Sequence, residues 1–180
     1  MIERAVQIPF RHPVRSRPRA AVAGFFLAAM MNVAGAADFA RWSGGKTPAL
    51  KLADASGREL NLAQYRGKTV VVNFWATWCE PCREEMPSLD RLRARLGEKG
   101  VVVLAVNVGE APERVARFTR DVPVSFPIVF DREGATAKAW KVRGYPTSFV
   151  VGPDGRIRHY YVGELDWAGE DVVRLIESVR

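Results

Sequence analysis

The chain has two cysteines, and they lie three positions apart in the motif Cys79-Glu80-Pro81-Cys82. An apolar, β-branched run precedes the motif and an amphipathic stretch follows it, so the motif falls where a predicted strand meets a predicted helix. A helix N-terminus presents unpaired N–H groups and a partial positive charge, which favour a thiolate on Cys79. Cys82, one turn later, can attack a mixed disulfide on Cys79 and release the reduced partner. The pair therefore predicts a thiol–disulfide exchange centre.

Other uses of a C-x-x-C motif compete with exchange. A structural zinc site needs four ligands, and after residue 36 the only other soft donor is His159, which we interpret as a strand-surface residue. A structural disulfide that closes so few residues would restrict the unfolded chain little. We therefore predict no metal and no cofactor. A Cu(I)-binding module, in which two soft thiolates hold the ion, stays open as the alternative function.

Composition and charge exclude other classes of protein. With 48% hydrophobic and 26% charged residues, the 180-residue chain has the composition of one globular domain. The net charge is +7, but residues 1–36 hold five arginines against one glutamate. The rest has 22 basic and 19 acidic residues, a net of +3, and no basic run interleaved with aromatics. So small an excess argues against nucleic acid as a partner.

Residues 1–36 have the order of a secretory signal peptide. A basic region leads into the apolar residues 20–31 and then into Ala34-Gly35-Ala36, an A-x-A cleavage site. The alternative is a retained N-terminal anchor, because residues 20–37 are almost continuously apolar and approach the length of a membrane span. Either reading predicts an exported, for instance periplasmic, protein. We expect residues 37–49 to form a linker and residues 50–180 the domain.

The domain must position the cysteines on a βαβ unit. Residues 69–75 and 101–108 are β-branched and apolar on both faces, which is typical of central strands covered on both sides. Between them, residues 82–96 carry apolar side chains at helical spacing. A turn at residues 54–57 predicts a small hairpin before this unit. After it we expect a helix, a short strand, a short helix, an antiparallel hairpin over residues 147–162 and a final amphipathic helix.

The run at residues 72–87, VNFWATWCEPCREEMP, resembles the active-site strand and helix of thioredoxin-fold proteins, in particular the exported TlpA/ResA-like thiol-disulfide oxidoreductases. Gly144-Tyr145-Pro146-Thr147 resembles the cis-proline loop of that fold. The likeness covers residues 48–180. It implies an α/β thioredoxin fold with a four- or five-stranded mixed sheet flanked by helices and an N-terminal β-hairpin extension. It also implies that Cys79 is exposed and Cys82 shielded.

The resemblance assigns roles to individual residues. Cys79 and Cys82 would be catalytic, Trp78 would flank the nucleophile and Pro81 would shape the motif. Pro146, in a cis bond, would place the Tyr145 backbone where it can dock an incoming peptide as an added strand. Glu85 matches a carboxylate near the cysteine pair and is a candidate proton relay. The alternative for Glu85 is a solvated charge on the helix surface.

Three departures from related patterns bear on the function. Asn73 stands where ordinary thioredoxins have a buried aspartate, so proton transfer to Cys82 would need Glu85 or water. Thr147 stands where members dedicated to cytochrome c maturation often have glutamate, which weakens that assignment. Val72 and Ala76 stand where thiol peroxidases have proline and threonine, which makes a peroxidase a lesser alternative.

The resemblance implies a protein disulfide oxidoreductase that reduces disulfides of client proteins. Glu80 opposes a thiolate on its neighbour Cys79 and so favours donation of electrons. The expected partners are a disulfide-bearing client protein and an upstream thiol electron donor, free or membrane-bound. Contact with a membrane is expected only if the leader is retained.

Overall fold

The computed structural model describes residues 38–180. The predicted signal peptide or anchor, residues 1–36, therefore lies outside the described residues. Within residues 38–180, no helix combines the length and the apolar character that crossing a membrane requires.

Eight strands, four α-helices and one 3-10 turn make up the described part of the chain. The strands are β1 (Ala40–Arg41), β2 (Lys51–Ala53), β3 (Glu59–Asn61), β4 (Thr69–Trp75), β5 (Val101–Val108), β6 (Ile128–Asp131), β7 (Thr147–Val151) and β8 (Ile157–Val162). The helices are α1 (Glu80–Leu96), α2 (Pro112–Asp121), α3 (Ala135–Ala139) and α4 (Glu170–Ser178), and the 3-10 turn is Leu62–Tyr65. The predicted elements are all present, with ends that differ by a few residues.

Six strands form one mixed sheet in the order β1-β8-β7-β4-β5-β6. β4, β5 and β6 run parallel, as crossover helices require, while β7, β8 and β1 are antiparallel to their neighbours. β2 and β3 form the predicted separate hairpin. The expected mixed sheet flanked by helices is confirmed, with six strands where four or five were predicted.

The additional strand comes from the segment predicted to be a linker. Ala40 pairs with Tyr160 and Arg41 with His159, so β1 extends the sheet beyond β8. Trp42 follows, and its ring contacts those of Phe149 and Tyr160. Residues 40–42 are therefore part of the fold, because a backbone ladder and a packed indole hold them to the sheet edge.

The central strand β4 divides two apolar cores. Its alternation turns Val71 and Trp75 toward α1 and α4, and turns Val72 and Phe74 toward the opposite core with β7 and α3. Asn73 lies between Val71 and Trp75 in this alternation, so the sheet aims a polar side chain at α1. All seven residues of β4 are buried, as its sequence predicted.

Helix α1 buries the apolar stripe that its sequence predicted. The stripe residues, which are all fully buried, are Met86, Leu89, Leu92 and Leu96. Pro87 lies inside the helix, on its exposed side. Cys82, Glu85 and Ser88 lie on the buried face together with the stripe. The helix thus carries a thiol and a carboxylate into the core on successive turns.

Candidate active site

A disulfide between Cys79 and Cys82 occupies the N-terminus of α1, with the two Cα atoms 5.3 Å apart. Cys79 is the N-cap residue: its backbone is extended, and its Sγ accepts a hydrogen bond from the Cys82 N–H at 3.3 Å. Pro81 lies in the first turn, where a missing N–H costs no helical hydrogen bond. The Cys79 sulfur therefore lies against the positive end of the helix dipole.

The two cysteines differ little in exposure. Cys79 is 6% exposed and Cys82 is fully buried, so the predicted order holds. The expectation that Cys79 is an exposed side chain is wrong for this disulfide form, because its sulfur folds back over the helix as a cap. Trp78, at 64% exposure, is the side chain that projects into solvent beside the disulfide.

The loop that carries Pro146 adopts the predicted conformation. The Tyr145–Pro146 bond is cis, which confirms the prediction. The Tyr145 ring packs edge-on against Trp78 with ring centroids 5.9 Å apart, so this loop and the cysteine motif are in contact. Thr147 donates its hydroxyl to the Gly144 carbonyl at 2.7 Å, which closes the loop on itself.

Glu85 is buried on the core-facing side of α1, three residues after Cys82. It is 1% exposed, and its two oxygens accept hydrogen bonds from different donors: Asn73 Nδ2 at 2.7 Å and Trp167 Nε1 at 3.0 Å. The alternative interpretation of Glu85 as a solvated helix charge is therefore wrong. Burial raises the pKa of Glu85 to about 7, even though the Trp167 and Asn73 hydrogen bonds act to lower it. Glu85 can thus bind or release a proton near neutral pH.

Asn73 holds Glu85 through one hydrogen bond and leaves its own amide oxygen without a partner in the described part of the chain. Its Nδ2 donates to Glu85 Oε1 and, at 2.9 Å, to Ser148 Oγ, while its Oδ1 is buried without a hydrogen-bond partner among residues 38–180. A half-turn of the amide would bring Oδ1 to Glu85, where it could accept a hydrogen bond from the protonated carboxyl. The Ser148 hydroxyl can donate as readily as accept, so it tolerates the same turn.

A second buried carboxylate, Glu110, supports the loop before the cysteines. It accepts hydrogen bonds from both the N–H (2.7 Å) and the hydroxyl (2.6 Å) of Thr77, and from Asn107 Nδ2 (2.8 Å). Arg114 lies 2.7 Å from the same carboxylate. Burial alone would raise the pKa of Glu110, but the Thr77 and Asn107 hydrogen bonds and the Arg114 charge outweigh it, so its pKa lies below the ordinary value. An ionised Glu110 thus fixes the backbone two residues before Cys79.

Sequence reasoning missed Glu110 and Trp167. The position of Glu110 in the sequence could have pointed to the site, because Glu110 follows the carboxyl end of β5, next to the end of β4 where the cysteine motif begins. Trp167 carried none, since it lies 82 residues beyond Glu85 in a loop before α4.

The described residues contain no group of three or more histidine, cysteine, aspartate or glutamate side chains placed to hold a metal ion. His159 is a half-buried residue of β8, near the edge of the sheet. Burial lowers its pKa, and the nearby Arg41 and Arg158 charges lower it further. His159 thus lies on a strand, and its pKa lies below the ordinary value.

The chain matches one protein family and several curated relatives. The model of the AhpC/TSA family matches residues 43–160. The chain is similar to the thiol-disulfide oxidoreductase ResA of Geobacillus thermodenitrificans (strain NG80-2), with 39% identity over 76% of this chain and 78% of the relative. It is also similar to the ResA of Bacillus subtilis (strain 168), with 35% identity over 68% of each chain.

Solved structures show the same architecture. A putative thiol:disulfide interchange protein DsbE from Chlorobium tepidum superposes with a TM-score of 0.71 and 31% identity, over 78% of this chain and 99% of that one. A putative thioredoxin from Neisseria meningitidis superposes with a TM-score of 0.66 and 31% identity, over 73% of this chain and 87% of that one. The predicted thioredoxin fold is confirmed.

Proposed function

The chain belongs to the AhpC/TSA family and, within it, to the ResA-like thiol-disulfide oxidoreductases, and from this premise we propose that it reduces disulfides of client proteins outside the cytoplasm. The observation that carries the proposal is the Cys79–Cys82 disulfide at a helix N-terminus, one turn from a buried glutamate whose pKa is about 7. A purely structural disulfide is not broken and re-formed, so it needs no proton acceptor nearby.

The exchange begins from the dithiol form. The Cys79 thiolate attacks one sulfur of the client disulfide, which forms a mixed disulfide and expels the other client sulfur as a thiolate. The Cys82 thiolate then attacks Cys79 Sγ, which forms the Cys79–Cys82 disulfide and releases the second client thiolate. Two electrons pass from the protein to the client, and the client thiolates take up protons. An upstream thiol donor regenerates the dithiol by the reverse exchange.

Glu85 is the base for the second step. Cys82 is fully buried, and its thiol must lose a proton before the sulfur can attack. The amide side chain of Asn73 is not a base and cannot take that proton. Glu85 lies one turn further along the same buried helix face, and its pKa of about 7 suits it to take that proton. Asn73 and Trp167 hold the carboxyl group in place through their hydrogen bonds.

The client docks on the surface formed by Trp78 and Tyr145. The exposed indole of Trp78 offers an apolar contact directly beside Cys79, and Tyr145 packs against it. The backbone of Tyr145, before Pro146, can pair with an extended client segment as an added strand. Pro81 keeps the cysteine motif in the first helical turn, next in sequence to Trp78.

Two further parts of the proposal concern direction and location. Glu80 is exposed next to Cys79, and its negative charge opposes the thiolate, which favours the disulfide form and hence donation of electrons to clients. Residues 1–36 act as a signal peptide or as a retained anchor, which places the domain in an exported compartment with its client and its thiol donor.

The test is client trapping together with insulin reduction. Wild-type protein with dithiothreitol as donor should precipitate insulin chains faster than dithiothreitol alone. The Cys82→Ser variant should accumulate mixed disulfides with exported proteins, whereas the Cys79→Ser variant should not. Adducts only on Cys79→Ser would overturn the assignment of the attacking thiol, and insulin reduction no faster than with dithiothreitol alone would overturn the function.

The same preparation separates the alternatives. Anaerobic titration of the reduced protein with Cu(I), repeated on a variant with His159→Ala, measures the copper-binding alternative. Consumption of hydrogen peroxide measures the peroxidase alternative. Tight Cu(I) binding without insulin reduction would replace the proposed function with a copper module.

A further inference from the structure

A pocket of about 400 Å³ lies on the sheet face opposite α1, beside the loop that holds Tyr145 and Pro146. Four aromatic side chains line it, and we call it the aromatic pocket: Trp42 and Tyr160 are half-buried, whereas Trp140 and Phe149 are fully buried. Phe149 and Tyr160 stack on neighbouring strands with ring centroids 6.1 Å apart. Gly144 and Thr147, at the two ends of the Tyr145–Pro146 loop, also line it. The docking surface and the pocket are thus contiguous through this loop.

Two cations without acidic partners border the aromatic pocket. Lys141 and Arg143 are both exposed, neither forms an ion pair with any residue of the range 38–180, and no carboxylate lines the pocket. The Lys141 ammonium lies 5.7 Å from the centre of the Trp42 ring. A concavity walled partly by aromatic rings and bordered by two cations that have no acidic partner in that range is complementary to an apolar group that carries a negative charge beside it.

The backbone at Lys141 favours glycine, yet the chain has lysine there. Its φ of 60° makes it the only residue other than glycine with a positive φ in the described part of the chain. The position follows the end of α3, where a left-handed residue is usually glycine because a side chain is strained there. A strained residue at the border of a cavity points to a role for its side chain.

Exposed apolar surface connects the cysteine motif with the aromatic pocket. Trp78 and Val162 are the two large hydrophobic side chains that the described residues leave exposed, at 64% and 59%. Trp78 contacts Tyr145, while Val162 pairs with Thr147 across the sheet and lines the pocket. A client strand that lies along the Tyr145 backbone would therefore bring a nearby side chain to the pocket.

We infer that the aromatic pocket selects clients: it takes an aromatic or large aliphatic side chain of the client segment near the reacting disulfide, while Lys141 and Arg143 bind an aspartate or glutamate next to that side chain. The inference rests on the proposed function, because its occupant is the client itself. It adds a substrate class, namely polypeptides with an apolar–acidic pair close to the client cysteine.

The experiment compares peptide disulfides that differ at one pair of positions. The peptides carry Phe-Glu, Phe-Gln or Phe-Lys at a series of offsets from the cysteine, and the second-order rate constant for reduction by the pre-reduced protein is measured for each. At one offset, Phe-Glu should react fastest and Phe-Lys slowest. The Lys141→Gly, Arg143→Gln double variant should slow Phe-Glu by about threefold to tenfold, the range for two exposed ion pairs, and leave Phe-Gln nearly unchanged. Higher ionic strength should reduce the preference.

A matched variant controls for net charge and for folding. The double variant Arg132→Gln, Lys138→Gln also removes two positive charges, but from exposed residues that do not line the pocket. It should leave all three rates unchanged. Lys141→Gly also relieves the backbone strain at that position, so misfolding would not explain a loss of rate. Equal slowing by both double variants would overturn the inference, because bulk charge would then account for it.

Bis(2-hydroxyethyl) disulfide, which is neutral and too small to span both sites, reports on the cysteine pair alone. If the wild type reduces it but treats the three peptides equally at every offset, Lys141 and Arg143 do not bind an acidic residue of the client, and the inference is overturned. If the wild type fails to reduce it, the proposed function falls, and this inference falls with it.

Discussion

At the residue scale, the proposed chemistry depends on one carboxyl group that is buried one helical turn after Cys82. Glu85 accepts hydrogen bonds from Asn73 and Trp167, yet burial still raises its pKa to about 7. Asn73 replaces the buried carboxylate that the active-site strand of an ordinary thioredoxin carries. In our proposal the proton acceptor therefore lies on the helix and not on the strand, and the Asn73 amide holds it by a hydrogen bond.

The stability of the oxidised protein should depend on pH through Glu85. Between its ordinary pKa of 4.5 and the folded value of about 7, the folded state keeps a proton that the unfolded chain has released. The free energy of unfolding should therefore fall as pH rises from about 4.5 to 7, by about 3 kcal/mol at most, and level off above pH 7. Urea titrations at several pH values measure this.

In those titrations the Glu85→Gln variant should lose this slope and be the more stable protein above pH 7. Gln keeps an acceptor for Trp167, and its amide N–H can donate to the unpartnered Asn73 Oδ1 after that amide turns. Glu84→Gln, at the exposed neighbouring position, is the control and should keep the wild-type slope. An unchanged slope in Glu85→Gln would contradict the assignment of the titrating group.

Thiol reactivity should report the same carboxyl group. In the reduced protein, Cys79 alkylation by iodoacetamide between about pH 5 and 10 should show an inflection near pH 7 in addition to that of the thiol, because neighbouring titrating groups are coupled. The Glu85→Gln variant should lose that inflection. Profiles that superimpose for wild type and variant would assign proton transfer to water.

At the element scale, the residues that hold the cysteine motif in place follow the carboxyl ends of two neighbouring strands. β4 leads into Thr77 and the motif, and β5 ends just before Glu110. Because β4 and β5 are parallel and paired in register, their carboxyl ends meet, and the carboxylate reaches both Thr77 donors. The loop before Cys79 is therefore fixed from the neighbouring strand and not only from its own helix.

Removal of the Glu110 carboxylate should loosen this loop. In Glu110→Ala the buried Thr77 N–H loses its acceptor, so the free energy of unfolding should fall by about 2 kcal/mol. The Thr77 amide should exchange with solvent much faster, as measured by hydrogen exchange with NMR detection. Glu113→Ala, at an exposed position on the first turn of α2, should leave the exchange of the Thr77 amide unchanged and lower the free energy of unfolding by less than about 1 kcal/mol. Unchanged protection of Thr77 in Glu110→Ala would show that the loop is held by other contacts.

At the scale of the whole molecule, residues 40–42, which come before the main domain in sequence, add a strand and a packed tryptophan to one edge of the sheet. β1 pairs with β8, and Trp42 covers the aromatic residues of β7 and β8. The same indole forms one wall of the aromatic pocket. The N-terminal segment is therefore part of the fold as well as of the surface where we expect clients to bind.

Trp42→Ala should destabilise the domain although the residue lies in a segment whose sequence is typical of a linker. Its two aromatic contacts, with Phe149 and Tyr160, predict a loss of about 2 kcal/mol in the free energy of unfolding. The exposed Ser43→Ala variant is the control and should stay within about 0.5 kcal/mol of wild type. Chemical denaturation of the two variants decides the question, and equal stabilities would mean that the Trp42 ring does not stabilise the domain.

The sequence by itself determined the exchange chemistry and the core of the fold. Cys79 and Cys82 are neighbours in sequence, so their spacing and the helix that follows fix their relation without tertiary information. The sequence also predicted strands β4 and β5 and the apolar stripe of α1, because apolar periodicity depends only on local geometry. The Tyr145–Pro146 bond was found through a motif that resembles a known loop.

Only the tertiary structure decided what surrounds the cysteines. Glu85 looks like any helix glutamate in sequence; the approach of Trp167 from 82 residues away and of Asn73 from the sheet makes it a buried group. Glu110 reaches Thr77, and β1 joins the sheet edge, through contacts between distant parts of the chain. A side chain's solvation and partners depend on the packing of separate elements, and local sequence periodicity does not contain that packing.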